Sequence, residues 1–330
     1  MRSLYRLALL AVAAATSAAA LAQSYPARPI TMIVPFTAGG PTDTVGRSLA
    51  QAMSKHLGQQ IVIENVGGAG GTVGVTRAKN AAPDGYTILL HHIGMSTAPT
   101  LYRKLQFDPL KDFEYIGLIV DTPMTIVARS DLPPKNIGEF VAYVKANKDK
   151  LNYANAGVGA ASHLCGLLFM SAIETPLTTV PFKGTADVIN ALLAKQVDFT
   201  CDQTTNTTGQ IQANRADPTK GVKVYAATSL RRVPTLPDVP TLDESGFKGF
   251  EVGVWHGLYA PKGTPKAAVD KLVAALQAAA KDPDFVKRMS DLGATVYPAE
   301  RIDPAAHAAH LKAEIDKWAP IIKKAGVYAD

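Results

Sequence analysis

Ile30-Thr31-Met32-Ile33-Val34, running into Pro35-Phe36-Thr37-Ala38-Gly39-Gly40-Pro41-Thr42-Asp43, reads as a short apolar strand that breaks into a Gly-bearing loop and then opens a helix. The pattern returns at Leu151-Asn152-Tyr153-Ala154-Asn155, followed by Ala156-Gly157-Val158-Gly159-Ala160-Ala161-Ser162-His163. Amides at a helix start have no intrahelical acceptor and carry partial positive charge, so two such starts facing one cleft would hold an anion.

Strand-like and helix-like segments alternate outward from these two, which predicts α/β architecture with a largely parallel sheet. Strands are expected at 30–34, 61–64, 87–91, 115–120, 124–128, 152–154, 178–182, 197–201, 223–228 and 253–260. Helices are expected at 42–58, 71–81, 137–147, 162–173, 185–195, 204–213, 265–281, 282–292 and 304–325. Asp282-Pro283 and Asp303-Pro304 are start signals, with proline at the first helical position behind an aspartate cap.

Residues 1–22 read as a secretory leader: Arg2 and Arg6 precede an apolar run from Leu7 to Ala15, and Ala20-Leu21-Ala22 forms the expected cleavage site. Export follows, with cleavage after Ala22. The 330-residue chain exceeds what one small core uses, so two lobes are expected. Its net charge of +6 is spread rather than clustered, and the lysines from Lys145 to Lys150 fit a solvated helix face, so no nucleic-acid partner is expected. Cys165 and Cys201 fit either a disulfide, which export permits, or two small buried thiols.

Enzyme signatures are missing. No Gly-x-Ser-x-Gly elbow and no Gly-x-x-x-x-Gly-Lys-Ser/Thr string occurs. Gly157-Val158-Gly159-Ala160-Ala161-Ser162 approaches a dinucleotide fingerprint, but Ser162 stands where the third small residue belongs. His307 and His310 could share a helix face, yet without a His-Glu-x-x-His string or cysteine cluster they read as solvated. His91 and His92 end a strand and should point to opposite faces, so one of them could line a cleft. No metal and no cofactor is expected.

The ordered motifs together resemble the substrate-binding proteins of tripartite tricarboxylate transporters, the Bug family. Matching strings are residues 35–43, Glu64-Asn65-Val66-Gly67-Gly68-Ala69-Gly70-Gly71, Pro83-Asp84-Gly85-Tyr86-Thr87, residues 157–164, Val180-Pro181-Phe182-Lys183-Gly184, Leu236-Pro237-Asp238-Val239-Pro240-Thr241 and Trp255-x-Gly-Leu-x-Ala-Pro261. The resemblance implies a two-lobed periplasmic binding protein of the Venus-flytrap type, closing by hinge motion on a ligand between its lobes. One lobe would combine residues 23–122 with 250–330 and the other would span 123–249.

It also implies a monomer that delivers a small carboxylate to a membrane permease and catalyses nothing. Phe36, Thr37, Ala38, Gly39 and Asp43 would contact the ligand from one loop. Gly159, Ala160, Ala161 and Ser162 would face them, with Asn155, Lys183 and Asp202 shaping the site. Asp43 fits an ordinary helix-start residue equally well.

The chain departs from the commoner family pattern. Ala160-Ala161 stands where a hydroxyl residue is frequent, Phe182 where Tyr is frequent, and neither loop carries Arg. A mono- or dicarboxylate with an apolar or aromatic body, packed near Phe36, His92, Met95 and Phe182, is therefore expected in place of a tricarboxylate. The competing expectations are a sensor for a signalling partner and an exported hydrolase.

Overall fold

The computed structural model describes residues 25–326, 328 and 329, so the expected leader and its cleavage site lie outside the described residues. Strand β1 (Ile30–Val34) lies between β2 (Ile61–Asn65) and β3 (Thr87–His92), all three parallel. β3 is followed across the sheet by β9 (Gly253–Pro261) and then β4 (Phe113–Arg129), and both of these contacts are antiparallel. Beyond Pro123 the partners of β4 change. Its last residues pair antiparallel with β7 (Phe199–Gln203) and β8 (Val222–Ala227), and β5 (Asn152–Asn155) runs parallel to β7 and β6 (Thr178–Pro181). The two-residue β10 (Thr295–Val296) adds to β4 near Val120.

Two parallel sub-sheets are thus joined by antiparallel strands, a correction to the largely parallel sheet that alternation suggested. The cause is connectivity: β4 carries the chain from the first sub-sheet to the second and β9 brings it back. Two neighbouring strands that cross in opposite senses pair antiparallel. β4 is also one strand where two were expected. Asp121-Thr122-Pro123 interrupts the apolar pattern, yet these residues stay in register against Trp255, Val254 and Gly253 of β9.

Side chains alternate across the first sub-sheet as a two-residue period requires. Met32, Ile88 and Leu90 pack on one face with α1 (Pro41–Leu57), α8 (Lys266–Ala279) and α9 (Pro283–Asp291), through Leu49, Leu272 and Phe285. Ile33 and Leu89 enter a second core with Leu101 of α3 (Gly94–Leu101) and with Leu311 and Trp318 of α10 (Pro304–Ala325). That core continues under β4 through Met124 and Ile126 to Phe140 of α4 (Ile137–Ala146), Phe169 of α5 (Ala161–Ala172) and Phe199. A smaller core joins α6 (Thr185–Leu193) to α7 (Thr204–Ala216) through Val188, Leu192 and Ile211.

The Asp-Pro starts form as expected: Asp282 accepts from the amides of Asp284 and Phe285, and Asp303 from that of Ala306. Cys165 and Cys201 form a disulfide across a Cα separation of 6.0 Å, tying α5 to β7. Helix α3 was not legible in the sequence, since Gly94, Ser96, Thr97 and Pro99 are poor helix formers. Burial sustains it instead, and the Ser96 and Thr97 hydroxyls donate to the carbonyls of Ile93 and Gly94.

Both helix-face histidines are corrected as well. His307 is fully buried, 4.5 Å ring to ring from Tyr259 and 5.2 Å from Tyr115, while His310 packs edge-on to Trp255. The reason is on the facing strand: a Cβ at Gly257 would come within 2.3 Å of His307 Nε2, so the glycine makes room for the ring.

Candidate functional site

Four helix starts converge where the two sub-sheets face each other. They surround a small cavity, with room for about one water molecule, lined by Phe36, Pro41, Thr42, His92, Ala156, Ala160, Ala161, Ser162, Thr185, Asp202 and Gln203. Pro41 and Thr42 open α1, Ala161 and Ser162 open α5 behind Ala160, Thr185 opens α6, and Gln203 precedes α7. Among the lining residues there is no Lys or Arg. Positive potential at the cavity therefore comes from helix-start amides and dipoles.

The first loop is fixed by Asp43, whose carboxylate accepts from the Gly39 amide at 2.8 Å, Arg47 Nε at 2.8 Å and Asn65 Nδ2 at 3.0 Å. Burial pushes this carboxyl up, but those hydrogen bonds outweigh it and hold the group below the ordinary aspartate range. Asn65 also donates to the Phe36 carbonyl at 3.1 Å, so strand β2 sets the loop that carries Phe36. The second loop is fixed from within. Ser162 Oγ accepts from the Ala156 amide at 2.9 Å, Asn155 Oδ1 from the Gly157 amide at 2.9 Å, and His163 Nδ1 from the Gly159 amide at 3.3 Å.

Of the predicted residues, Phe36, His92, Ala160, Ala161, Ser162 and Asp202 come together around the cavity. Asp43 and Asn155 stand behind it as loop fasteners. The Gly39 and Gly159 amides are taken by Asp43 and His163. Ala38 and Lys183 are exposed, and Thr37 sits where the loop meets Gly184 of the second sub-sheet, where a Cβ would fall 2.1 Å from its hydroxyl. Met95 is wholly buried in the main core and Phe182 packs against the smaller one, and neither is among the residues lining the cavity. Sequence reading missed Pro41, Thr42, Ala156, Thr185 and Gln203 as wall residues. Gly184-Thr185 carries the same strand, glycine and helix-start signature that marked the first two loops, whereas at Gln203-Thr204 strand β7 runs straight into α7 with no glycine between them.

His91 and His92 do not point to opposite faces. Both rings lie beside Phe36, with centroids 5.6 and 4.7 Å away, and His92 stacks on the phenyl ring. The strand ends there by bending: His91 Nδ1 accepts from the His92 amide at 2.8 Å and His92 Nδ1 from the Gly94 amide at 3.0 Å. An Nδ1 that accepts leaves the proton on Nε2, so His92 offers a neutral N–H donor at the cavity wall. Burial first, then neighbouring His91 and His256, hold its imidazole well below the ordinary range.

Asp202 is the acidic member of the wall and is 1% exposed. Asn206 Nδ2 donates to its Oδ2, while Oδ1 has no protein partner. Burial pushes the carboxyl up to about 6 against the pull of Asn206, the Gln203 amide and the Thr185 hydroxyl.

The two sub-sheets also touch along a seam beside the cavity. Tyr102 Oη lies 2.6 Å from both the Ala69 and Val158 carbonyls, and Thr97 Oγ1 donates to the Gly159 carbonyl at 2.9 Å. Gly70 lies directly against Val158 there.

A family model described as "Tripartite tricarboxylate transporter family receptor" matches residues 45–327. The chain is 57% identical to a solved structure described as that of periplasmic binding protein BugD, with a TM-score of 0.89 over 93% of this chain and 100% of that one. It is 42% identical to MatC from Rhodopseudomonas palustris, solved with bound malate, with a TM-score of 0.85 over 90% and 100% of the two chains. A relative from Agrobacterium vitis, the "UPF0065 protein in the TAR-I ttuE-ttuC' intergenic region", is 47% identical over 92% of this chain and 86% of its own length.

Proposed function

Because the chain belongs to the tripartite tricarboxylate transporter receptor family, we propose that it captures a small organic carboxylate in the periplasm and hands it to a membrane permease. The observation that carries this reading is the cavity wall: four helix starts with no Lys or Arg among the lining residues. Such a wall binds an anionic group through amides and water. The family is one of solute-binding receptors, and MatC, solved with bound malate, supports a small acid as ligand.

Residues 25–122 with 250–326 act as one lobe and residues 123–249 as the other. The switch of β4 partners beyond Pro123 and the return along β9 support this division. The receptor works as a monomer after a leader ending at Ala22 is removed. On the finer question of the ligand's body, the Phe36 ring and His92 at the wall support an apolar or aromatic portion packed against them. Met95 and Phe182 lend no support, since they belong to the cores.

Thermal unfolding with a panel of carboxylates tests the reading. A ligand held only by the folded state adds about 2.7 kcal/mol at a hundredfold excess over its Kd. The panel should contain citrate, malate, adipate and benzoate, with chemical analysis of the acid after incubation. A rise in Tm with the acid recovered intact is expected. No rise with any acid, or conversion of one, would overturn it.

A further inference from the structure

We propose that Asp202 makes this site selective for carboxylates that carry a hydrogen-bond donor, a hydroxyl or an ammonium, on their carbon skeleton. The inference rests on the receptor reading and deepens it. Asp202 lines the cavity, is almost wholly buried, and has one oxygen held by Asn206 and the other without a protein partner. Gln203 beside it also lines the cavity, and its Oε1 has no protein partner either. Two unmet acceptors therefore share a wall with the amide donors of four helix starts.

A site built for an anion alone has no use for an acidic wall residue. A plain dicarboxylate would bring a like charge towards Asp202 and leave its Oδ1 unsatisfied, and a buried acceptor without a donor is penalised. A ligand with a hydroxyl or ammonium near its carboxylate meets both demands, anion to the amides and donor to Asp202. Protonation of Asp202 is the other way to relieve the conflict. A donor on the ligand relieves the conflict without that proton. Sites that hydrogen-bond a substrate hydroxyl reject analogues lacking it far more strongly than apolar pockets discriminate methylenes.

Titration calorimetry on the mature protein with succinate, malate and aspartate tests this on one four-carbon diacid skeleton. Malate or aspartate should bind at least tenfold more tightly than succinate. The variant Asp202→Asn, checked for an unchanged unfolding transition, separates the two donors. Its amide oxygen still accepts from a hydroxyl, so a preference for malate survives, whereas a preference for aspartate that needs the charge is lost. Asp202→Ala should erase either preference. Equal binding of all three acids, or a preference that survives Asp202→Ala, overturns the inference and leaves the receptor reading standing. Failure of every carboxylate to bind removes both.

Discussion

Replacing Gly70 with alanine should separate closure from stability. Gly70 has φ 61°, and a Cβ there would lie 1.9 Å from the Val158 carbonyl oxygen across the seam. Carbon–oxygen contacts normally stop near ~3.3 Å, so the seam must widen by roughly 1.4 Å. The Tyr102–Val158 and Thr97–Gly159 hydrogen bonds, at 2.6 and 2.9 Å, would then exceed bonding distance. At about 0.5–1.5 kcal/mol each, the closed state loses about 1–3 kcal/mol, which is about 5- to 150-fold in affinity. A second cost, about 1 kcal/mol for a left-handed alanine, falls on open and closed forms alike and lowers Tm by about 2–4 °C without touching affinity.

Gly58→Ala is the matched control. Gly58 has φ 66° as a helix cap, and a Cβ there meets no heavy atom within 4 Å. Calorimetric titration with whichever acid raises Tm, beside scanning calorimetry of both variants, should show similar losses in Tm and weakened binding in Gly70→Ala alone. Binding by Gly70→Ala as tight as by Gly58→Ala would refute the closure argument.

Acid should destabilise the fold before carboxylates titrate, because burial holds His91, His256 and His307 near pKa 3 while the unfolded chain takes up their protons from about pH 6.5 downward. Asp202, raised to about 6, works in the opposite sense over part of this range, and with buried His92 and His163 also held low, urea unfolding should show a net loss of about 5 kcal/mol between pH 7 and 5.5; a flat profile there would contradict the buried neutral histidines. Reduction, or Cys165→Ser with Cys201→Ser, opens a loop of sequence separation 36 and should cost about 4 kcal/mol by the chain-entropy relation, and a urea midpoint unmoved by reductant would show that the bridge does not form.

The strand-loop-helix signature at residues 30–43 and 151–163 was sufficient to find the cavity because the physics is local: a helix start lacks acceptors wherever it occurs. The same signature at Gly184-Thr185 shows that the wall was more legible than the two loops alone suggested, while Gln203-Thr204 lacks its glycine. Which amides remain free was not legible. Gly39 and Gly159 give theirs to Asp43 and His163, contacts that depend on how the loops bend. The inward turn of His307 was hidden for a different reason, since it depends on Gly257, fifty residues upstream on another element. The single strand β4 and the antiparallel centre follow from the chain crossing twice, which periodicity within one segment does not record.

The chemistry of the seam bears on how the ligand controls closure. Among the ion pairs of the described residues, none joins residues 123–249 to the rest; Arg129 pairs with Asp131 and Asp198, and Lys248 with Asp243, all within that span. The contacts beside the cavity are neutral hydrogen bonds to the carbonyls of Val158 and Gly159. Part of the worth of the Tyr102 contact survives opening, because its hydroxyl can still donate to Ala69 on its own side. An apolar cluster of Phe36 with Ala156 and Ala160 joins the two sides as well, so under the proposed closure the balance is shared between these seam contacts and what the cavity holds. A ligand shifts such an equilibrium only by its differential affinity for the two forms. Under the proposed closure that differential comes from the division of the wall: the amides of α1 belong to one sub-sheet and those of α5, α6 and α7 to the other, so an anion would meet all four helix starts only with the seam shut.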